Sequence, residues 1–449
     1  MKTKTVEYFE KISMIPRESG NEQKIADYIV SFAKERNLDY IKDKFNNVII
    51  KKYINEKEPI ILQAHLDMVC EKEPNYNFDF KKEPIKLIYE NDYIYSQYTT
   101  LGADNGIGVA QILNILDSDI NCNIEAIFTS SEETTMNGAI NIDLSTLKGK
   151  KMINLDGFNS DTILLGAASF NDIDINMNYK TTEKNKRKLY EIKLSGLEGG
   201  HSGFDIDKNK GNAIILLAEL LLNIKDIRIA KFNGGSKINV IPSSATAIIE
   251  TNEDVKKIIN VFQNKISNIN VEIINIKEEL KLLSEKETSK FLNSIADFKH
   301  GVIKKNKRHE VTTSQNLSIV DLSKNLIQIG LRSSIKEEEI NAINDMKKYC
   351  ARYDYKFKQV GYQPGFNTDE KSELVKKMKE CYYKINNKYP ELKSVHIAVE
   401  VGLIKEKMKD IEVVIISPEI IDAHTIRERV KISSIVECDK WLHEYLKTL

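Results

Sequence analysis

Cysteine is scarce in this 449-residue chain: Cys70, Cys122, Cys350, Cys381 and Cys438, an odd number, scattered, with no C-x-x-C pair. That excludes a disulfide scaffold and a cysteine zinc knuckle, and a reducing, cytoplasmic setting is expected. Long apolar runs are missing too. No window approaches eighteen apolar residues, which excludes a membrane-spanning helix, and the opening M-K-T-K-T-V-E-Y-F-E-K-I lacks the apolar stretch of an export signal. Net charge is absent: 66 Lys and Arg balance 66 Asp and Glu. Electrostatics therefore offer no reason to expect nucleic acid or an anionic membrane as partner. There is no internal repeat and no low-complexity segment. With cysteine set aside, histidine and carboxylate are the metal ligands on offer, and the seven histidines are few enough to weigh individually.

What is present reads as a soluble globular chain long enough for two or three domains. Apolar residues at helical spacing predict helices over 3–14 and 21–36, with P-R-E-S-G-N as the break between them. N-V-I-I-K-K, P-I-I-L-Q-A-H-L-D-M-V, I-E-A-I-F-T-S-S and K-M-I-N-L-D are short β-branched runs of the buried-strand type. Residues 105–116 read as a buried helix opening after Asp104. Near residue 180 the texture changes. T-T-E-K-N-K-R-K is a charged linker candidate, followed by strands, the glycine-rich G-G-H-S-G and an apolar helix from Ala213 to Ile224. A second break, G-Y-Q-P-G-F-N, precedes a helix over 372–386, two apolar strands and a closing helix over 433–447. The expected fold is α/β: one discontinuous domain over 1–186 and 364–449, interrupted by an inserted α+β domain over 187–363.

Three of the predicted strands run into polar residues at their C-terminal ends: His65 and Asp67, then Glu132 and Glu133, then Asp156. In open α/β sheets that edge is where sites form. Each residue has a plain alternative. H-x-D can be an ordinary strand terminus, Asp104 a helix N-cap, the glutamate pair a solvated turn and Asp156 a loop residue. Taken together they supply what a hydrolase with two metal ions needs. Imidazole and carboxylates can ligate, one carboxylate can bridge, and one free carboxylate can take a proton from water. In H-x-D, the aspartate can hydrogen-bond the second imidazole nitrogen and raise the basicity of the ligand.

The blocks I-P-R-E-S-G-N-E, L-Q-A-H-L-D-M-V-C-E-K, T-T-L-G-A-D-N-G-I-G-V-A, S-E-E, N-L-D and G-G-H-S-G resemble the aminoacyl-histidine (Xaa-His) dipeptidases. That family is a branch of the di-zinc exopeptidases that also holds carboxypeptidases and aminoacylases. The resemblance implies a zinc-exopeptidase-like catalytic domain on a mixed sheet, a lid domain able to form a homodimer, and hydrolysis of dipeptides of the Xaa-His, carnosine-like type. It implies two divalent ions per chain, zinc, with cobalt or manganese as alternatives. His65 and Asp156 would serve one metal, Glu133 the second, and Asp104 would bridge them. Asp67 would orient His65, and Glu132 would be the proton-transferring base for hydroxide formed between the metals. His424 stands where the family has its last ligand. Glu428 and Arg429 fit the pattern around it, whereas Thr425, Ile426 and Arg427 depart from it.

From the inserted domain the resemblance implies substrate contacts by His201 in G-G-H-S-G, a donor to the oxyanion, and by Asn239 and Arg332, with Ser314 to Asn316 assisting. His396 and Glu400 sit in a matching block, H-I-A-V-E-V-G, without an implied role. His300, His309 and His443 lie in charged surroundings and read as surface residues. On the same scaffold an N-acyl amino acid deacylase or a carboxypeptidase would use the same metals and base. A catalytically silent binding protein would have lost a ligand or the base, and none is missing here.

Overall fold

A computed structural model describes residues 3–181, 183–184, 186–264, 266 and 268–449. The chain divides into two compact units.

The first unit comprises 1–166, 366–394 and 399–449. Its central sheet includes β1 (Val48–Lys52), β2 (Ile60–His65), β3 (Ile124–Thr129), β4 (Lys151–Asn154) and β5 (Glu412–Ile415), in the order β1-β3-β2-β4-β5. β2 runs parallel to both β3 and β4, and β5 runs parallel to β4. Every residue of β2 and β3 is buried. Strands covered on both faces read as continuous apolar runs rather than alternating ones, which is why these segments stand out in the sequence. Register then places the site. His65 pairs with Thr129, and Gln63 with Asn154, so three strands end level and hand Asp67, Glu132 and Asp156 to one edge.

Helices α1 (Lys4–Ser13) and α2 (Gln23–Glu35) bury Phe9, Ile12, Ile25 and Ile29 in the same core. Helix α3 (Ala103–Leu116) is buried almost throughout. Its start differs from the expected one. Gly102 takes the cap position in the left-handed region, at φ 71, and Asp104 and Asn105 have non-helical dihedrals. The Asp104 carboxylate turns to His65 and His424 rather than to the N–H groups of the helix start. A Cβ on Gly102 would stand 2.5 Å from Arg17 Nη2 and 2.7 Å from Met68 Sδ, so only glycine fits that turn.

The second unit comprises 167–365 and 395–398. Its main sheet is antiparallel, ordered 270–276, 189–195, 245–250, 228–234, 311–321, 326–333, 169–176 and 356–363. Helices Ala213–Leu222 and Glu285–Ala296 contribute Leu217, Leu221, Phe291 and Ile295 to its core.

The observed division lies at 166/167 and 365/366, not at 186/187 and 363/364. Strand Ser169–Asn176 pairs with 326–333 and 356–363, so these residues belong to the second sheet before the composition changes. The charged run 181–188 reads as a linker, but Leu189 already lies in a strand. Its residues Thr182 and Asn185 fall outside the described residues. No helix among the described residues is long and apolar enough to cross a membrane.

Candidate active site

At the C-terminal edge of β2, β3 and β4, the first unit gathers His65, Asp104, Glu132, Glu133, Asp156 and His424. Three overlapping groups emerge: His65, Glu132 and Glu133; His65, Asp104 and Asp156; Asp104, Glu133 and His424. Within each, one ligand atom per residue lies within 4.8 Å of the others.

Asp104 joins two of these groups. Its Oδ1 stands 3.1 Å from His65 Nε2 and its Oδ2 3.0 Å from His424 Nε2. His424 Nε2 is also 3.0 Å from Glu133 Oε1, and His65 Nε2 is 3.7 Å from Asp156 Oδ1. One carboxylate thus faces two imidazoles, one oxygen to each. Glu428 sets this geometry up: its carboxylate accepts from the main-chain N–H groups of Leu101, Gly102 and Asp104 at 2.8, 2.9 and 3.2 Å. Arg17, buried, donates to the carbonyls of Leu66, Asp67 and Gly102, tying the turn after β2 to the turn before α3.

Asp67 Oδ1 stands 3.4 Å from His65 Nδ1, an ion-pair contact rather than a tight hydrogen bond. The same carboxylate accepts from Ser19 Oγ at 2.7 Å and from the main-chain N–H groups of Glu132 and Glu133 at 3.0 and 3.2 Å. Asp67 therefore holds the imidazole on one side and the glutamate pair on the other. Glu22 steadies that pair by accepting from Ser131, which sits at φ 57. His424 is also left-handed, at φ 64, a conformation uncommon away from glycine. It is the most open member of the cluster, its side chain 47% exposed.

The electrostatics are those of crowded acids seeking positive charge. Burial pushes Glu132 well above the usual carboxylate range; His65 opposes this, while Asp156, Glu400 and Glu133 add to it. Burial and Asp104 push Asp156 up to about 6. Burial pushes Glu400 up to about 7. Burial works against a charged His65, but Asp156 and Asp104 overcome it and hold the imidazole well above its ordinary value. Hydrogen bonds to Asp104 and Glu133 raise His424 to about 11. Protons on the two imidazoles and the buried Arg17 guanidinium are the positive charges that the described residues set against these acids. Oxygen and imidazole donors in overlapping groups, one carboxylate shared, suit divalent ions.

In the second unit Ser202 draws together the residues implied for substrate contact. Its N–H donates to Asn239 O at 2.8 Å, and its Oγ accepts from Arg332 Nε at 3.4 Å. Arg332 is 4% exposed, with its guanidinium 4.5 Å from the centre of the Phe170 ring. No carboxylate among the described residues pairs with it, and burial lowers it to about 10. His201 is half-buried, its Nδ1 accepting from Gly203 N at 3.1 Å. Burial and Arg332 depress it below its ordinary value. His396, which the sequence leaves without a role, has Nε2 2.7 Å from Ser314 Oγ. Burial and the Arg332 charge push it down to about 3.

Sequence reasoning assigned nothing to Arg17, Glu22, Gln63 or Asn154, although all four lie within quoted blocks. His300 is not the surface residue expected: burial lowers it to about 4. His443 is half-buried, and His309 is exposed.

Comparison with known proteins follows the same outline. The profile of peptidase family M20/M25/M40 matches residues 61–448. The cytosol non-specific dipeptidase of Escherichia coli K12 is 30% identical over 470 residues, covering 98% of this chain and 96% of that protein. The crystal structure of aminoacylhistidine dipeptidase from Vibrio alginolyticus superposes with a TM-score of 0.89 at 27% identity, covering 99% and 96%. Aminopeptidase PepT from Bacillus cereus shares the fold, with a TM-score of 0.59 at 15% identity over 100% and 98%.

Proposed function

The chain belongs to the peptidase family M20/M25/M40 and is a metallo-dipeptidase; from that premise we propose that it hydrolyses Xaa-His dipeptides at the cluster centred on Asp104. The observation that carries the assignment is Asp104 itself, turned with one oxygen toward His65 and the other toward His424. Two divalent ions, zinc in this reading, would be held by His65 and Asp156, by Glu133 and His424, and by Asp104 between them. When bound, they polarise the scissile carbonyl and acidify water.

The chain's own groups do the rest. Asp67 keeps the His65 imidazole oriented. Glu132, beside the ligands and with no ion pair to a lysine or arginine among the described residues, takes the proton from the attacking water and returns it to the leaving amine nitrogen. Within the second unit, Arg332, buried with no paired carboxylate among the described residues, suits a carboxylate through paired hydrogen bonds, and His201 and Asn239 are the further substrate contacts this reading carries there.

A dipeptide panel tests this reading. The expected result is turnover of Xaa-His dipeptides at least about tenfold above N-acetyl amino acids, lost on chelation and restored by zinc. Faster hydrolysis of N-acetyl amino acids would overturn it in favour of a deacylase. Equal rates on Xaa-Ala and Xaa-His would remove the histidine preference and leave a broad dipeptidase.

The proposal extends to assembly as a cytoplasmic homodimer through the second unit. Strand Asn270–Ile276 is an edge of its sheet, with Ile274 56% exposed, and an uncapped edge invites pairing with a second copy. Sedimentation at micromolar concentration is expected to give twice the 51.4 kDa chain mass; a monomer would sink the dimer.

A further inference from the structure

Glu400 is a carboxylate for which the reaction above has no use. It is fully buried, and no cationic side chain among the described residues lies within ion-pair distance. Its Oε1 accepts from Gln63 Nε2 at 2.5 Å and from Thr129 Oγ1 at 2.8 Å. Its Oε2 is buried with no hydrogen-bond partner. A carboxylate held this way weakens a fold relative to a neutral side chain of the same shape, so stability gives no reason for it.

The reason lies in what it orients. An amide side chain can turn end for end with little change of shape, whereas an ionised carboxylate only accepts. Gln63 on β2 pairs in register with Asn154 on β4. With Nε2 turned to Glu400 and Thr129, Gln63 presents Oε1 to Asn154 Nδ2 and accepts from it. Asn154 Oδ1 then accepts from the main-chain N–H of Asp156 at 2.9 Å. A relay therefore runs from Glu400 across two strands to Asp156, whose carboxylate stands with His65 and Asp104. Had Gln63 been turned the other way, two acceptors would face each other at Glu400 and two donors at Asn154.

We propose that Glu400 is a positioning residue of the metal site, fixing Asp156 through Gln63 and Asn154 and adding negative charge to the field that holds the cations. This rests on the reading of Asp156 as a ligand. Glu400→Gln keeps the shape and removes the charge. It is expected to bind metal about 10- to 100-fold more weakly in competition with a chelator of known affinity. Its metal-free melting temperature should equal or exceed the parent's, and at saturating metal kcat should fall while KM moves less than about threefold. Asn154→Ala cuts the relay one link from Asp156 and should reproduce the loss of affinity. The double variant should lose no more than the larger single effect. Parent-like metal affinity in Glu400→Gln overturns the proposal, as does an additive double variant; if Glu400→Gln does not fold, parent-like affinity in Asn154→Ala overturns it. Asp156→Asn separates the two levels. If it too binds metal like the parent, the ligand reading falls; if it alone loses metal, only the role of Glu400 falls.

Discussion

Replacing Glu132 by glutamine is expected to lower kcat about 10³- to 10⁴-fold, with two divalent ions retained per chain and KM moving less than about threefold. The contrast with its neighbour makes this a sharp test. Glu132 and Glu133 are adjacent, both receive main-chain support from Asp67, and both stand with His65 in one possible ligand group. Geometry alone admits either as ligand. What separates them is the partner. Glu133 Oε1 lies 3.0 Å from His424 Nε2 and shares a second possible ligand group with Asp104 and His424, whereas Glu132 belongs only to the group with His65. Burial and three neighbouring acids raise the affinity of the Glu132 carboxylate for a proton, which strengthens it as the base that takes a proton from water in one step and gives it up in the next. Glu133→Gln should therefore lose bound metal, and Glu132→Gln should not. If metal analysis gave the reverse pattern, or if Glu132→Gln kept parental turnover, the two roles would have to be exchanged or abandoned.

Parts of this site can be read from the chain because parallel strands announce themselves. β2 and β3 are buried on both faces, so they appear as apolar runs, and the polar residues after them mark the sheet edge. His65, Asp67, the glutamate pair and Asp156 were legible for that reason. Asp104 was legible as a candidate but not in its setting: a helix start suggests an N-cap, and only the turn held by Glu428 shows the carboxylate facing two imidazoles. Glu428 contacts Gly102 across 326 residues of sequence, and no local pattern encodes such a bond. The relay from Glu400 depends on the register of Gln63 with Asn154, which spacing within one strand cannot reveal. The domain boundary was misjudged for a related reason. Strand Ser169–Asn176 alternates buried and open residues as any sheet strand would, and only its partners place it in the second unit.

Stripping the protein of metal and titrating zinc back should release protons, with affinity for each ion rising about tenfold per pH unit across pH 6–8. The sign follows from the cluster's own charges. In the metal-free chain both imidazoles have raised pKa values, His65 through Asp156 and Asp104 against burial, His424 to about 11 through Asp104 and Glu133. Both are therefore protonated at neutral pH, and an entering cation must displace a proton from one imidazole. Below pH 6 the dependence should steepen, because Asp156, at about 6, begins to take a proton as well. Asp104→Asn examines the same balance from the acid side. It removes the charge that faces both imidazoles, and with it several kcal/mol of attraction for the ions, which corresponds to at least about 10³-fold in turnover. The variant should bind fewer than two ions, and in metal-free form His424 should titrate closer to an ordinary imidazole when followed by NMR. Calorimetry in buffers of different ionisation enthalpy counts the protons released by the parent. A count near zero at pH 7, or Asp104→Asn holding two ions as tightly as the parent, would mean that these imidazoles and this carboxylate do not share the cations.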